Sequence, residues 1–229
     1  YQVIEIVRSK AFEHQVECDL SNKETVKNCF QKYQPDCIIH LAALSFVGHD
    51  DPSAFYDVNL FATLNILEAC AELQLDFSKI ILSSSANVYG NPTVEKISET
   101  QPASPVNHYA MSKLAMEHMS KLWFDKLPIL ITRPFNYTGA GQDIKFLVPK
   151  IVSHFKRGEK SIELGNIDVY RDFSDVRDIS RYYVRLLESS AHSDIVNLCS
   201  GSVYSLSHII EEMQVLAGYN ISVKVNPDF

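Results

Sequence analysis

Short apolar runs alternate along this chain with stretches in which apolar residues recur every three or four positions. That is the pattern of buried parallel strands joined by crossover helices. Strands are predicted at Val3–Val7, Val16–Cys18, Cys37–Ala42, Ile80–Ser84 and Ile129–Ile131, all short and apolar, as strands covered on both faces should be. Ser21-Asn22-Lys23-Glu24 reads as a capping box opening a helix towards Tyr33. Pro52 and Ser53 open a longer helix whose apolar side is Phe55, Val58, Ala62, Leu64, Ile66 and Leu67; Pro105 precedes the next helix and Pro128 ends it.

After Phe135 the texture becomes irregular. A glycine-containing loop, Tyr137–Gln142, leads to a helix near Phe146–Phe155, a strand at Ser161–Leu164 and a helix after Ser174. A strand at Ile195–Leu198, a helix opened by Ser205 and a last strand at Ile221–Val225 follow. The expected fold class is α/β: a doubly wound parallel sheet of Rossmann type with a small intertwined C-terminal lobe.

Composition narrows the partners. With 46% hydrophobic and 21% charged residues in 229, the chain can bury a substantial core. Its net charge of -7 argues against nucleic acid or an anionic membrane as partner. Cys18, Cys29, Cys37, Cys70 and Cys199 show neither C-x-x-C nor metal-ligand spacing, so reduced thiols and a cytoplasmic location are expected. No run approaches the roughly 18 apolar residues of a membrane span, and the first residues lack the basic region of a signal peptide. His14, His49, His108, His118, His154, His192 and His208 have no ligand spacing, and no metal is assigned.

The most informative segment is Tyr109-Ala110-Met111-Ser112-Lys113, because a Tyr and a Lys four apart share one helix face. A phenol of pKa near 10 must be lowered by ~3 units, or ~4 kcal/mol, to trade protons near neutrality, and a neighbouring ammonium shifts it that way. Tyr109 is then the acid or base and Lys113 the cation. Ser83-Ser84-Ser85 stands where a parallel strand ends, the place where open α/β sheets bind ligands, so a serine there can hold a substrate oxygen against Tyr109; the alternative is that Ser83 and Ser84 merely terminate the strand.

At this point the chain resembles the extended short-chain dehydrogenase/reductase family, in its group of nucleotide-sugar epimerases, dehydratases and reductases. The blocks carrying the resemblance are Cys18-Asp19-Leu20, His40-Leu41-Ala42-Ala43, Asp57-Val58-Asn59, Ser83-Ser84-Ser85, Tyr109-x-x-x-Lys113, Arg133-Pro134-Phe135-Asn136 and Tyr170-Arg171-Asp172-Phe173. The resemblance implies Ser85, Tyr109 and Lys113 as catalytic residues. It implies a cofactor wall of Arg8, Asp19, Leu20, Leu41, Ala42, Ala43, Ser45, Tyr56, Asn59, Tyr109 and Lys113, with Asn59 bracing the active-site strand. Ser85, Asn136 and Arg171 would meet a nucleotide-diphosphate sugar, Arg171 as a diphosphate clamp; the alternatives are a loop cap for Asn136 and an ion pair with Asp172 for Arg171. Arg8 favours NADP(H), with NAD(H) the alternative. Residues 1–135 would form the dinucleotide-binding layer and 136–229 mainly the substrate lobe, with 166–200 returning to the main layer. A homodimer is expected, and Leu114, Met116, Met119 and Trp123 offer either its surface or an ordinary core face.

Within that group the dehydratases often carry Asp or Ser after the hydroxyl residue and then Glu, where this chain has Ala86 and Asn87, neither able to exchange a proton near neutral pH. A 4,6-dehydratase is therefore disfavoured. Reduction of a GDP-linked 4-keto-6-deoxy sugar leads, since the Arg133 and Arg171 blocks look closest to that reductase; 4-epimerisation is second, and a non-catalytic nucleotide-binding protein or fragment third. Chains of the family begin with a strand and a G-x-x-G-x-x-G phosphate loop. This one opens at what corresponds to the second strand and closes at Asn226-Pro227-Asp228-Phe229, so a fragment, an isoform or part of a longer chain is expected, with open apolar strand edges.

Overall fold

The computed structural model describes residues 1–226, so what was expected of the lobe and the chain end at Pro227–Phe229 lies outside the described residues. The elements are β1 (Ile6–Val7), β2 (Val16–Glu17), α1 (Lys23–Tyr33), β3 (Cys37–His40), α2 (Pro52–Tyr56), a π-helical turn (Asp57–Phe61), α3 (Ala62–Leu73) and β4 (Lys79–Ser83). A 3-10 turn (Ala86–Tyr89), α4 (His108–Lys121), β5 (Ile129–Pro134), β6 (Asn136–Thr138), α5 (Leu147–Lys156) and β7 (Ser161–Leu164) continue the chain. It ends with β8 (Tyr170–Asp175), α6 (Val176–Glu188), β9 (Asp194–Leu198), β10 (Val203–Ser205), α7 (Leu206–Ala217) and β11 (Ser222–Val225). These elements divide into two compact units, Tyr1–Arg133 with Tyr183–Asn197, and Pro134–Tyr182 with the chain from Leu198 onward.

The first unit is the expected helix-flanked sheet. Its strands run in the order β3-β4-β5-β9, with Ile80 of β4 paired in parallel with Ile38 and Ile129. Ile80, Ile81, Leu82, Ile129, Leu130 and Ile131 are all wholly buried, so both faces of the central strands are covered and their runs are apolar without alternation. Val26, Phe30, Ile66, Leu67, Cys70 and Met116 complete this core. The parallel pair β1–β2 forms a separate piece of sheet, and Ile6 and Ile39 are left 36% and 37% exposed. With a ladder on one side only, β1 shrinks from the predicted Val3–Val7 to Ile6–Val7. All five cysteines are free thiols.

Four local expectations are corrected here. Asn22, not Ser21, caps α1: its side-chain oxygen accepts from the Glu24 and Thr25 amides at 3.0 and 3.3 Å, while Ser21 gives both its amide and its hydroxyl to Asp19. The single helix expected from Pro52 runs on to Leu73, with the π-helical turn inside it turning Asn59 fully inward. Its amide accepts from Leu44 N–H at 2.9 Å and donates to Leu44 O and Ser112 Oγ at 3.1 and 3.0 Å. Asn59 thus braces the segment after β3 against α4 rather than the strand carrying the serines. Helix α4 stops at Lys121, and turns through Leu127 separate it from Pro128, which leads into β5. Met116, Met119 and Trp123 belong to the core, so this stripe is the core face of α4.

In the second unit, α5, β7, α7 and β11 enclose a separate core of Ile151, Phe155, Ile162, Leu164, Leu206, Ile210 and Ile221. Ser205 caps α7, as predicted, by accepting from His208 N–H at 3.0 Å. Three strands, β10-β8-β6, were not foreseen. The reason lies in β8, whose inward residues Asp172 and Ser174 are polar, so no apolar alternation marks it. Asp172 is satisfied by Ser200 N–H, Ser200 Oγ and Gly201 N–H at 3.0, 3.0 and 2.7 Å.

His40, at the end of β3, is buried against Thr63, with Nε2 3.0 Å from Oγ1. Burial, and secondly the charge of Lys113, lower its pKa from 6.5 to about 3. The folded state therefore refuses a proton that the unfolded chain takes up below 6.5, and stability is lost as pH falls from there towards 3. Unfolding free energy is expected to drop by about 1.4 kcal/mol between about pH 7.5 and 5.5 on this account. Urea midpoints should show the drop in the wild type and a clearly flatter profile in His40→Gln.

Candidate active site

Helix α4 carries an unusual load of buried polar groups. Pro105 keeps the preceding chain extended and Asn107 caps the helix, accepting from Ala110 N–H at 2.8 Å. Tyr109, Ser112, Lys113, Glu117 and Ser120 are then all at most 9% exposed. Solvated helix faces do not look like this, because each buried polar group needs a partner to offset its desolvation.

The partners come from the end of β4. Lys113 Nζ donates to the Ser83 carbonyl at 2.7 Å. The Ser83 hydroxyl accepts from Tyr183 OH at 3.0 Å, and that phenol lies 3.0 Å from Thr132 Oγ1. Ser84 donates to Glu117 Oε1 at 2.5 Å. Ser85 caps the 3-10 turn, its Oγ accepting from the Asn87 amide at 3.2 Å. Burial pulls the Lys113 pKa from 10.5 down to about 8, with the Glu117 charge opposing the fall. Tyr109 stands one turn before Lys113 on the same face, its ring 6.2 Å from that of Phe55.

Glu117 was not anticipated from the sequence, and neither was the part played by Arg133. Arg133 Nε and Nη2 grip both carboxylate oxygens of Glu117 at 2.9 and 2.6 Å, a bidentate pair 6% and 1% exposed. Arg133 Nη1 also donates to Tyr89 OH at 2.9 Å, which donates to Asn197 Oδ1 at 2.7 Å. The available signal was spacing: Glu117 lies four residues beyond Lys113 and eight beyond Tyr109, on one face.

The residues suggested for a cofactor wall occupy the same unit. Asp19 is exposed, and its hydrogen bonds from Ser21 hold its carboxyl below the usual carboxylate range. Arg8 is exposed nearby, and its charge adds to that lowering. Leu41, Ala42 and Ser45 are exposed on the segment after β3, with Leu20 and Ala43 half-buried. Tyr56 OH lies 3.1 Å from His108 Nδ1.

Asn136 and Arg171 belong to the second unit. The β6–β8 register sets Asn136 opposite Phe173, so Asn136 and Arg171 lie on the same face of that small sheet, and both are exposed. Asn136 is a strand residue whose Nδ2 donates to Asp172 O at 3.3 Å, so the loop-cap alternative falls. The alternative pairing of Arg171 with Asp172 falls too, since Asp172 is spent on residues 200 and 201.

A helix-flanked parallel sheet with a Tyr-x-x-x-Lys helix bound to serines at a strand end defines a nicotinamide-dependent oxidoreductase of the extended short-chain type. The chain belongs to the GDP-mannose 4,6 dehydratase family, which matches residues 3–227. The chain is 38% identical over 211 residues to GDP-6-deoxy-D-talose 4-dehydrogenase of Aggregatibacter actinomycetemcomitans, covering 92% of this chain and 72% of that protein. It is 33% identical over 204 residues to GDP-6-deoxy-D-mannose reductase of Pseudomonas aeruginosa, covering 84% and 67%. The structure of RMD from Pseudomonas aeruginosa complexed with NADPH superposes with a TM-score of 0.85 at 31% identity, over 92% of this chain and 73% of that one.

Gly90 closes the serine turn with φ +67°, and a Cβ there would run into the Ser104 carbonyl. Gly90→Ala is expected to cost about 3 kcal/mol through backbone strain and that collision, measurable as a lowered urea midpoint.

Proposed function

We propose that this chain reduces the 4-keto group of a GDP-linked 6-deoxy sugar with NADPH, in the order of roles its buried α4 face supports. The observation that carries the reading is that Lys113, one turn beyond Tyr109 on α4, is bonded to the Ser83 carbonyl at the strand end that leads to Ser85, which is followed by Ala86 and Asn87, side chains that exchange no proton near neutral pH. Such a site suits protonation at one oxygen and not the elimination of water. The two curated relatives, a 4-dehydrogenase and a reductase, both act on GDP-6-deoxy sugars by their names.

The site also fits a nicotinamide dinucleotide. An ammonium has three donors, and the buried Lys113 uses one of them on Ser83 O, leaving donors for ribose hydroxyls. When bound, the dinucleotide supplies the hydride. Ser85 donates to the carbonyl oxygen, and Tyr109 gives that oxygen its proton while the Lys113 charge stabilises the phenolate left behind. Asp19 and Leu20 would meet the adenine, and Leu41, Ala42, Ala43, Ser45, Tyr56 and Asn59 would wall the dinucleotide. Arg8 is assigned to the 2′-phosphate, which favours NADP(H) over NAD(H). In this reading the first unit is the dinucleotide layer and the second the substrate lobe, where Arg171 and Asn136 meet the nucleotide diphosphate. Two copies would pair through α3 and α4, at whose ends Phe61 and Leu122 remain exposed, as does Met111 on α4.

Oxidation of NADPH in the presence of GDP-4-keto-6-deoxy-mannose tests the reading; formation of a 4-epimer from a UDP- or GDP-sugar without net NADPH use would replace it with epimerisation. Tyr109→Phe should lower kcat by at least about a hundred-fold and leave the dissociation constant of the nucleotide sugar nearly unchanged. A variant retaining most of its rate would remove Tyr109 from the mechanism.

A further inference from the structure

We infer that Glu117, clamped by Arg133, is a positioning residue: through Ser84 it fixes the placement of the neighbouring Ser85 hydroxyl. The inference rests on the role given to Ser85 under the proposed function, and its geometry stands apart from that role. Three donors converge on one carboxylate: Ser84 Oγ at 2.5 Å, Arg133 Nε at 2.9 Å and Arg133 Nη2 at 2.6 Å. The ion pair ties α4 to β5, because Arg133 is a β5 residue and Glu117 an α4 residue. Ser84 extends the tie to the turn that leaves β4, and its own amide is held by Thr132 O at 2.7 Å.

Residue 84 is thus held at both backbone and side chain, one bond from Ser85. Ser85 in turn accepts from the Asn87 amide, and the Val88 amide reaches the Ser85 carbonyl at 3.2 Å. The Ser84 hydroxyl therefore links the residue next to Ser85 to the interior of α4, beside the bond from Lys113 to the Ser83 carbonyl. A buried ion pair of this kind contributes little net stability over an apolar replacement, so the inference rests on the contacts of Glu117 and not on its energy. The same face of α4 carries Tyr109 and Lys113, so one helix sets proton donor, cation and turn together.

The decisive variant is Ser84→Ala, which cuts the link and leaves the Glu117–Arg133 pair intact. It is expected to lower kcat about ten-fold through misplacement of Ser85, with KM for the nucleotide sugar and the thermal midpoint nearly unchanged. Ser84→Thr, which restores a hydroxyl, should recover most of kcat. The Asn87 amide reports the Ser85 hydroxyl directly, and in Ser84→Ala its hydrogen exchange should quicken. Wild-type kcat together with unaltered Asn87 exchange in Ser84→Ala would overturn the inference. Absence of turnover in the wild type with every nucleotide sugar would instead sink the proposed reaction, and the Asn87 comparison would still decide whether Glu117 positions the turn.

Discussion

Charge buried on one helix face governs how this protein is built. Lys113 and Glu117 sit one turn apart on α4, 3% and 1% exposed. An isolated charge there would cost several kcal/mol, so each must find partners, and those partners fix its surroundings. Lys113 takes the Ser83 carbonyl, while Glu117 takes Ser84 and Arg133. Satisfying two charges therefore ties the end of β4, the end of β5 and the helix together.

The same arrangement sets the charge state of Lys113. Burial brings its pKa down to about 8, while the Glu117 carboxylate resists further loss of charge. Hydrogen bonding to a main-chain carbonyl leaves donors to spare, and the group stays where it is needed with little solvent around it. Burial of Arg133 acts against its charge, but its bonds to Glu117 and Tyr89 outweigh that, so the guanidinium remains charged. Asn59 plays a comparable part on the other flank, joining the segment after β3 to Ser112 of α4 through an inward π-helical turn.

Membership of the GDP-mannose 4,6 dehydratase family sits beside Ala86 and Asn87 in the turn beyond the serines. A shared fold fixes where a sugar oxygen and a hydride can meet, and the residues around the serine select the reaction. Ala86 and Asn87 lie in the 3-10 turn beyond Ser85, where the Asn87 main chain, rather than its side chain, contacts the serine.

Much of the first unit was legible in the sequence, because strands covered on both faces must be apolar throughout and a Tyr and Lys four apart must share a helix face. The shared face of Tyr109 and Lys113 on α4 and the cap at Ser205 could be read from such local regularities. What pattern alone could not reveal were features set by distant partners. Asn22 caps α1 because Asp19 has already engaged Ser21, and β8 is a strand because β6 and β10 pair with it although its inward residues are polar. Glu117 reads in the sequence as one more acid on a helix. Only the tertiary structure brings Arg133 and Ser84 to it, since a buried charge is defined by groups remote in the chain that replace its water.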